Sequence, residues 1–520
     1  MHRDLFFAQT AKEASVIISK EPDAVCIPVN LETYFYCLEK KIKFINLNEF
    51  VDSEFHKKAL IASNKFTEQL NFKKINYSLK NEIKCKMRNR FHSIFFIDEL
   101  IKRIKKNRKI NKIFVSGWSK ENHLSDMEYI LTDIISNLKI KTKIVKIDKK
   151  KEKNDFDVFE YTSTDIIKNN KYKIYLANLG YNFSRFVFTP KFRKYIFAVP
   201  LFHKISILKK TIFNLFGVKF IKFTKNRKKQ IKSFNDYFDC NKNTAYFEVI
   251  NIFKKKYQKT FEELNQKIKA LEINNKINRY NLILSNNVRN FDGALLDAEN
   301  IINHQKSICI SHGTVTNGFN KYDRIYKKFI SDSVYFEKSS YNCSQSKIFT
   351  NFIKNRKKNK NILFTGNLIF ANSFKQNLFK KNNILVAVTL KGFENLQYYG
   401  VEMYFEFLNN LSFFDKLAKS DDLKIIINVH PQEISLIKKI KKLFPNLIIT
   451  FQKIEKLLHK SFTTISFSST AIEDSLYSKV PVILFDPAKR YMHCKAEKNY
   501  KKIGSSIYYI SKKKNLLSCI

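Results

Sequence analysis

The stretch SFTTISFSSTAIEDSLYSKVPVILFDP, residues 461–487, carries the clearest pattern of secondary structure in this chain. It begins with a short apolar strand at 464–467, passes through a hydroxyl-rich turn into a helix at 471–478, and ends in a second apolar strand at 480–485. A strand, a helix and another strand in this order form one unit of a parallel sheet covered by helices. The stretch therefore predicts an α/β fold.

The turn inside this unit carries Ser468, Ser469 and Thr470. Hydroxyl side chains at a strand-to-helix junction cap the helix, and with its free N–H groups they can form a pocket for a phosphate. Glu473 and Asp474 stand in the first helical turn, where the helix dipole favours carboxylates and where one of them could reach a ribose hydroxyl. The alternative is a capped helix with no ligand.

Other apolar strands in the C-terminal part of the chain also end in polar or glycine turns. The strand at 423–429 ends in His430, before a proline that cannot continue a sheet. The strand at 308–310 is followed by His312, the one at 362–364 by Gly366, and the one beginning at 384 ends in Thr389. Ligands gather at the carboxyl edge of open α/β sheets, so these turns indicate a site, although a histidine at a strand end can also be purely structural.

In the order of its motifs the chain resembles the two-Rossmann-domain (GT-B) glycosyltransferases of bacterial surface and capsular polysaccharides. Within that clan it is most similar to the sialyl-, polysialyl- and Kdo-type transferases and the CDP-glycerol glycerophosphotransferases. The resemblance covers roughly residues 280–487. Its motifs are His312-Gly313, Thr365-Gly366-Asn367, His430-Pro431, and Ser468-Ser469-Thr470 followed by Asp474 and KVPVI at 479–483.

This resemblance implies two Rossmann-like domains that face each other across a cleft. Residues 1–375 would form the acceptor-side domain, with an aromatic and basic insertion at about 150–275, and residues 376–520 the nucleotide-donor domain. The implied activity moves a sugar from a CMP-, CDP- or UDP-linked donor to a surface polysaccharide or a lipid-linked glycan. A CDP-glycerol-type glycerophosphotransferase and a sugar-nucleotide epimerase of the same fold remain alternatives.

The resemblance also implies roles for individual residues. His430 and the three hydroxyl residues would hold the donor phosphate, with Thr389 and Gly366 at the same cleft and Glu473 or Asp474 on the ribose. His312 would remove the acceptor proton, because a neutral imidazole titrates near neutral pH; Asp292, in the turn before a helix predicted at 294–303, is the second candidate base. Since the helix start and these donors would stabilise the leaving phosphate, no divalent metal and no cofactor is expected.

Composition limits the class of protein. At 520 residues, 44% hydrophobic and 14% aromatic, the chain is long and apolar enough for two or more folded domains. The eight cysteines form no CxxC pair. Without a long apolar run or a recognisable signal sequence, the protein is expected in the cytoplasm, with the inner face of the cytoplasmic membrane as a further possibility.

The net charge of +48 has two interpretations, a bias of the whole coding sequence or an anionic partner. Lys, Asn, Ile and Phe are all abundant, as expected when codons are pushed toward A and T, and such a bias explains much of the excess. Lysines are spread along the whole chain, which argues against specific nucleic-acid binding. An anionic membrane surface or an anionic glycan remains a plausible partner, and a basic membrane- or polyanion-binding scaffold is the non-enzyme alternative.

Three further segments have local sequence patterns that indicate their structure. Ile205, Leu208, Ile212 and Leu215 follow helical spacing among lysines, which indicates a basic amphipathic helix; packing on the sheet is favoured over lying in a membrane interface. The sequence of residues 329–347 predicts a strand that leads into a helix. Lys489 and Arg490 are expected in a solvated loop rather than on a phosphate.

Overall fold

The computed structural model describes the chain in segments. They are residues 3–8, 10–72, 77–117, 140–146, 158–163, 167, 173–176, 187–188, 192, 194–201, 205–228, 238–239, 247–285, 305–310, 316–334, 339–354, 361–366, 368, 383–389, 399–420, 423–429 and 431–520.

Residues 3–146 contain a four-stranded parallel sheet with strand order β2-β1-β4-β5. Three of its helices begin at polar caps, because Thr10, Asn30 and Asp52 each accept a backbone N–H of the first turn. The elements are β1 (Arg3–Ala8), α1 (Ala11–Lys20), β2 (Val25–Pro28), α2 (Leu31–Glu39), α3 (Ser53–Glu68), β3 (Asn71–Phe72), α4 (Tyr77–Asn107), β4 (Ile110–Gly117) and β5 (Lys141–Lys146).

A second parallel sheet, with seven strands, lies between residues 173 and 364. The elements of this part are β6 (Val158–Thr162), β7 (Lys173–Leu176), β8 (Ile196–Leu201), α5 (Ile207–Leu215), β9 (Val218–Lys222), β10 (Thr224–Lys228), β11 (Phe238–Asp239), α6 (Phe247–Asn278), β12 (Leu282–Ser285), β13 (Ser307–Ile310), α7 (Lys321–Val334), β14 (Tyr341–Ser344), α8 (Lys347–Lys354) and β15 (Ile362–Phe364). The spatial order is β15-β14-β13-β12-β7-β8-β9.

The third parallel sheet has six strands in the order β18-β17-β16-β19-β20-β21. Its elements are β16 (Asn383–Ala387), α9 (Tyr404–Ser420), β17 (Lys424–Asn428), α10 (Ile437–Leu443), β18 (Ile448–Thr450), α11 (Ile454–Leu458), β19 (Ser461–Ser466), α12 (Ala471–Tyr477), β20 (Val482–Phe485) and β21 (Ile507–Ile510). Short 3₁₀ helices cover Leu47–Glu49, Pro431–Leu436 and Lys513–Asn515.

The strand order identifies the topology of the two larger sheets. Numbered along the chain, the six-stranded sheet runs 3-2-1-4-5-6, the order of a doubly wound Rossmann sheet. The seven-stranded sheet has the same order with one more strand beyond the sixth. The α/β class expected from the sequence is confirmed, and the stretch at 461–487 forms the strand-helix-strand unit of β19, α12 and β20.

Three details differ from the sequence predictions. Residues 173–222, placed in an insertion, supply β7, β8 and β9 and are integral to the seven-stranded sheet. The first part of the strand predicted at 329–347 is the end of α7. Helix α5 is attached to the sheet side through the buried Phe213, while Leu208, Ile212 and Leu215 of the apolar stripe predicted to cover the sheet face solvent.

The first and third sheets share one apolar core, so the N-terminal part of the chain also packs against the C-terminal part. Leu5 and Phe7 of β1 belong to the same buried cluster as Ile384 and Ile425. The Tyr404 hydroxyl, at the start of α9, donates to the carbonyl oxygen of Pro28 at 2.7 Å. No helix in the described segments is both long enough and apolar enough to cross a bilayer.

Candidate functional site

The carboxyl edge of the six-stranded sheet has a topological switch point between β16 and β19, since the chain winds outward from this pair in both directions. The Ser466 hydroxyl at the end of β19 donates to the Ala387 carbonyl oxygen at the end of β16, at 2.9 Å. The Ser469 N–H in turn donates to the Ser466 hydroxyl oxygen at 3.2 Å. The hydroxyl turn predicted to hold phosphate therefore lies at the position where α/β sheets bind ligands.

The three hydroxyl residues of this turn have different surroundings. The Ser468 hydroxyl donates to the Gly400 carbonyl oxygen, and the Ser469 hydroxyl oxygen accepts the Ala471 N–H at 3.2 Å. Thr470 occupies the N-cap position of α12, but its side chain makes no capping hydrogen bond and is exposed. Of the three, Thr470 is therefore the one whose hydroxyl is most accessible to a ligand.

A short segment, residues 399–402, lies across the carboxyl ends of three strands. Besides the bond from Ser468 to Gly400, the Glu402 N–H donates to the Thr389 hydroxyl oxygen at 3.4 Å, next to the end of β16. The Val401 carbonyl oxygen accepts Nη2 of Arg490, which follows β20, at 2.7 Å. Thr389 and Ser468, both predicted to contact the donor, thus help to fix this segment.

Arg490 is buried, which corrects the prediction of a solvated loop. Its Nε and Nη2 atoms donate to the two carboxylate oxygens of Glu406 at 2.9 and 2.6 Å, and Nη1 donates to the Tyr399 carbonyl oxygen. The guanidinium also lies over the Phe467 ring at 4.5 Å. With its donors so engaged, Arg490 links the loop after β20 to the start of α9 and does not serve as a phosphate ligand.

The ion pair sets the protonation of this region. Burial opposes ionisation of Glu406, but the Arg490 guanidinium and the neighbouring His56 together outweigh burial and hold the pKa of Glu406 well below its usual range. Burial and Arg490 lower the pKa of His56 on α3. Its imidazole is therefore neutral at neutral pH, although Nε2 lies 3.4 Å from Glu406 Oε1. Burial raises the pKa of Glu402 to about 7 and that of Asp486 to about 6.

The carboxyl ends of the two Rossmann-ordered sheets are in contact. Beyond the end of β14, the Ser346 hydroxyl donates to Glu473 Oε1 of α12 at 2.7 Å, and the Tyr477 hydroxyl donates to the Gln345 carbonyl oxygen. Glu473 and Asp474 are both buried. A ribose contact by either carboxylate stays a prediction, and for Glu473 it would compete with the bond from Ser346.

A second connection between these sheets centres on a buried lysine of α7. Lys327 Nζ donates to the carbonyl oxygens of His493 at 2.6 Å and Asn317 at 2.9 Å, and to the Thr316 hydroxyl. Burial lowers the pKa of Lys327 and raises that of the nearby Asp323. These groups fix the seven-stranded sheet to the loop after β20, and sequence reasoning did not identify them.

Three of the predicted site residues, Asp292, His312 and His430, lie outside the described residues, as does the helix predicted at 294–303. In the sequence, His312 stands two positions after β13, the neighbour of β14. Gly366 is exposed after β15, at the outer strand of the seven-stranded sheet, and adopts a φ of 64° that favours glycine. In the seven-stranded sheet the order of the strands reverses between β7 and β12, and β15 is not adjacent to that point.

Two polar atoms at the carboxyl edges were not selected from the sequence. The Asn428 Oδ1 atom, at the end of β17, and the Ser285 hydroxyl, at the end of β12, are buried and have no hydrogen-bond partner among the described residues. Buried polar groups are normally paired, so such atoms at ligand-binding edges are candidates for substrate contacts. A polar residue ending an apolar strand was the available signal.

Comparison with known proteins gives limited similarity. No protein-family model matches the chain, and no curated protein matches it. Solved structures similar to this one include UDP-GlcNAc 2-epimerase from Methanocaldococcus jannaschii, with 14% identity over 67% of this chain and 91% of that chain and a TM-score of 0.37. TarM has 11% identity over 68% and 91%, with a TM-score of 0.38. The wall teichoic acid polymerase TagF has 14% identity over 67% and 78%, with a TM-score of 0.35. Scores this low assign no family or activity; the strand orders define the architecture.

Proposed function

We propose that this chain is a glycosyltransferase that moves a sugar from a nucleotide donor to a surface polysaccharide or a lipid-linked glycan. One observation carries the proposal. A hydroxyl turn lies at the switch point of a 3-2-1-4-5-6 sheet, and the carboxyl end of a second sheet of the same order is in contact with the helix that follows the turn. Two such edges meeting provide one side for an activated donor and one for an acceptor.

The donor nucleotide would bind to the six-stranded sheet. Thr470, together with His430, is proposed to hold the phosphate, and the exposed Thr470 hydroxyl is available without breaking a cap. Ser468, Ser469 and Thr389 would shape the same edge, through the hydrogen bonds that fix residues 399–402 and the start of α12. Asn428 is a further candidate contact because of its unpaired buried oxygen.

The proposed chemical step replaces one bond at the anomeric carbon of the donor sugar by another. The acceptor hydroxyl oxygen attacks the anomeric carbon of the donor sugar, and the bond from that carbon to the phosphate oxygen breaks, with its electron pair leaving on the nucleotide. The acceptor proton passes to a base, for which His312 is proposed, with Asp292 as the second candidate. Hydrogen-bond donors at the phosphate would stabilise the developing negative charge, so the proposal requires no divalent metal.

Two alternatives use the same donor site. A CDP-glycerol-type glycerophosphotransferase would release CMP and leave a phosphodiester in the product, whereas a sugar-nucleotide epimerase would return an intact sugar nucleotide or release a free epimerised sugar. A binding scaffold would give no turnover. The products therefore distinguish the four cases.

The experiment is a turnover assay with CMP-, CDP- and UDP-linked sugars and CDP-glycerol, using lipid-linked and polysaccharide acceptor fractions. The proposal expects nucleotide release coupled to sugar incorporation, unchanged by EDTA. His312→Ala should reduce turnover by about 100-fold or more, since a positioned general base contributes 10²–10⁴-fold. Undiminished turnover in His312→Ala and in Asp292→Asn would remove the assigned bases. No incorporation from any donor would refute the transferase.

A further inference from the structure

Helix α5 presents an apolar face to solvent. Ile207 is 85% exposed, Leu208 73%, Leu215 79% and Ile212 41%. At about 100° per residue, these four side chains fall within an arc of about 140° on one side of the helix. Thr211 lies inside this arc, but its hydroxyl donates to the Ile207 carbonyl oxygen at 3.1 Å, so it places no unpaired donor on the face.

The helix is firmly attached, so this exposure is a feature of a fixed surface. Phe213, on the opposite side, is buried and stacks on Phe188 with the ring centroids 5.1 Å apart. It also contacts Phe220 of β9 edge to face. Ser206 caps the first turn by accepting the Lys209 N–H at 3.4 Å. The apolar face therefore points outward because another residue already fills the inward position.

Basic residues surround this face, and acidic residues are absent from the sequence around it. By the same helical spacing, Lys209 and Lys210 flank the apolar arc on its two sides. Lys222 is exposed on β9, the outermost strand of the seven-stranded sheet, and lies on the same face of that strand as Phe220, which contacts α5. The sequence from 191 to 228 contains lysines and arginines but no aspartate or glutamate.

We propose that α5 docks into the interface of a lipid bilayer that contains anionic lipids, with its axis in the membrane plane. The apolar arc would enter the boundary between headgroups and acyl chains, while the flanking lysines would extend to the anionic headgroups. This inference stands on α5 and its surroundings and does not depend on the proposed donor site.

Other occupants fit the same surface less well. A second copy of the chain, related by a twofold axis, would bring the same basic patch against itself, and like charges would repel each other. A nucleic acid would satisfy the lysines, but it would leave the exposed apolar side chains of Ile207, Leu208 and Leu215 without a function. An anionic bilayer satisfies both the apolar and the basic parts of the surface.

The test is co-sedimentation of the full chain with vesicles of phosphatidylcholine alone and of phosphatidylcholine with phosphatidylglycerol. We expect binding to the anionic vesicles that falls as salt is added, and at least about tenfold weaker binding to the neutral ones. Leu208→Ser/Leu215→Ser should weaken partitioning to the anionic vesicles by about tenfold or more. The matched control is Ile503→Ser/Leu517→Ser, two exposed apolar residues elsewhere, which should leave partitioning unchanged.

Two double charge-reversal variants measure the electrostatic contribution to vesicle binding. Lys209→Glu/Lys210→Glu should also weaken binding by about tenfold or more, whereas Lys512→Glu/Lys514→Glu makes the same change in net charge at a distant surface and should have a much smaller effect. Circular dichroism and the melting temperature should match wild type in all four variants, because the substituted side chains lie at the surface.

Several results would overturn the inference. Equal partitioning of wild type and Leu208→Ser/Leu215→Ser, or no binding to anionic vesicles, would refute membrane docking. A dimer in sedimentation velocity that the leucine substitutions abolish, without vesicle binding, would assign the face to self-association. Binding to heparin that only the lysine substitutions weaken, again without vesicle binding, would assign it to a soluble polyanion.

Discussion

Replacing Arg490 by methionine tests whether its buried ion pair holds the loop after β20 in place. The substitution keeps most of the side-chain volume but removes the bonds to Glu406 and to the carbonyl oxygens of Tyr399 and Val401. It leaves the Glu406 carboxylate buried without its guanidinium partner, with His56 Nε2 3.4 Å from Glu406 Oε1.

The expected cost is large. Breaking a buried ion pair by removing one partner destabilises proteins by about 3–5 kcal/mol, because the remaining charge stays buried without compensation. The cost should depend on pH. In the wild type the pKa of Glu406 is depressed, so its contribution is present above its unfolded pKa and is lost as pH falls. The difference between Arg490→Met and wild type should therefore be largest near pH 7 and smaller near pH 4.

Urea unfolding followed by circular dichroism measures this difference. Lys489→Met is the matched control, since Lys489 is exposed and adjacent in the chain, and it should change the unfolding free energy by less than about 0.5 kcal/mol. Glu406→Leu combined with Arg490→Met should recover part of the loss, because it removes the orphaned charge. A cost below about 1 kcal/mol for Arg490→Met, or the same cost at pH 4 and pH 7, would contradict this role of the Arg490–Glu406 ion pair.

Two further stability predictions follow from the same region. Burial raises the pKa of Glu402 to about 7 from 4.5, so the stability from its retained proton is present below pH 4.5 and is lost as pH rises to about 7. Glu402→Gln keeps an acceptor for Asn410 but has no proton to lose. Urea unfolding should therefore show that the variant avoids a loss of roughly 3 kcal/mol in unfolding free energy between pH 4.5 and 7. The same pH profile as wild type would contradict the assignment. A Cβ on Gly400 would overlap the Tyr326 ring, so Gly400→Ala should cost about 1–3 kcal/mol, and Tyr326→Leu should relieve much of the cost in the double variant. A full penalty in both backgrounds would show that the ring is not the obstacle.

Local sequence patterns were sufficient for the strand-helix-strand unit at 461–487 and for the position of its hydroxyl turn. The unit of β19, α12 and β20 is recognisable because an apolar strand, a polar turn and a helix leave signals within a few residues of one another. The strand order of the two large sheets depends on pairing between distant segments, for example β7 with β12, and has no local signal. The number of Rossmann-ordered sheets agreed with the resemblance, whereas the additional N-terminal sheet did not follow from it.

The misjudged residues share a cause. Arg490 stands in a basic, polar stretch, and its partner Glu406 is 84 positions away, so nothing nearby indicated burial. Helix α5 has the spacing of a helix that covers a sheet, but Phe213 rather than the stripe faces inward. At the end of α7, aromatic and β-branched residues favour a strand, and the helix persists because Asp323, Tyr326 and Lys327 are buried at helical spacing upstream.

Isothermal titration of the full chain with CMP, CDP, UDP and GDP measures whether the switch point of the six-stranded sheet binds a nucleotide. We expect at least one of the four nucleotides to bind with one site per chain. Thr470→Val should weaken it by about tenfold or more, through loss of a hydrogen bond to a charged phosphate. Thr224→Val, at an exposed threonine of β10, should have no effect. Absence of binding by all four nucleotides, or an affinity unchanged by both Thr470→Val and His430→Ala, would contradict a nucleotide site at the switch point of the six-stranded sheet.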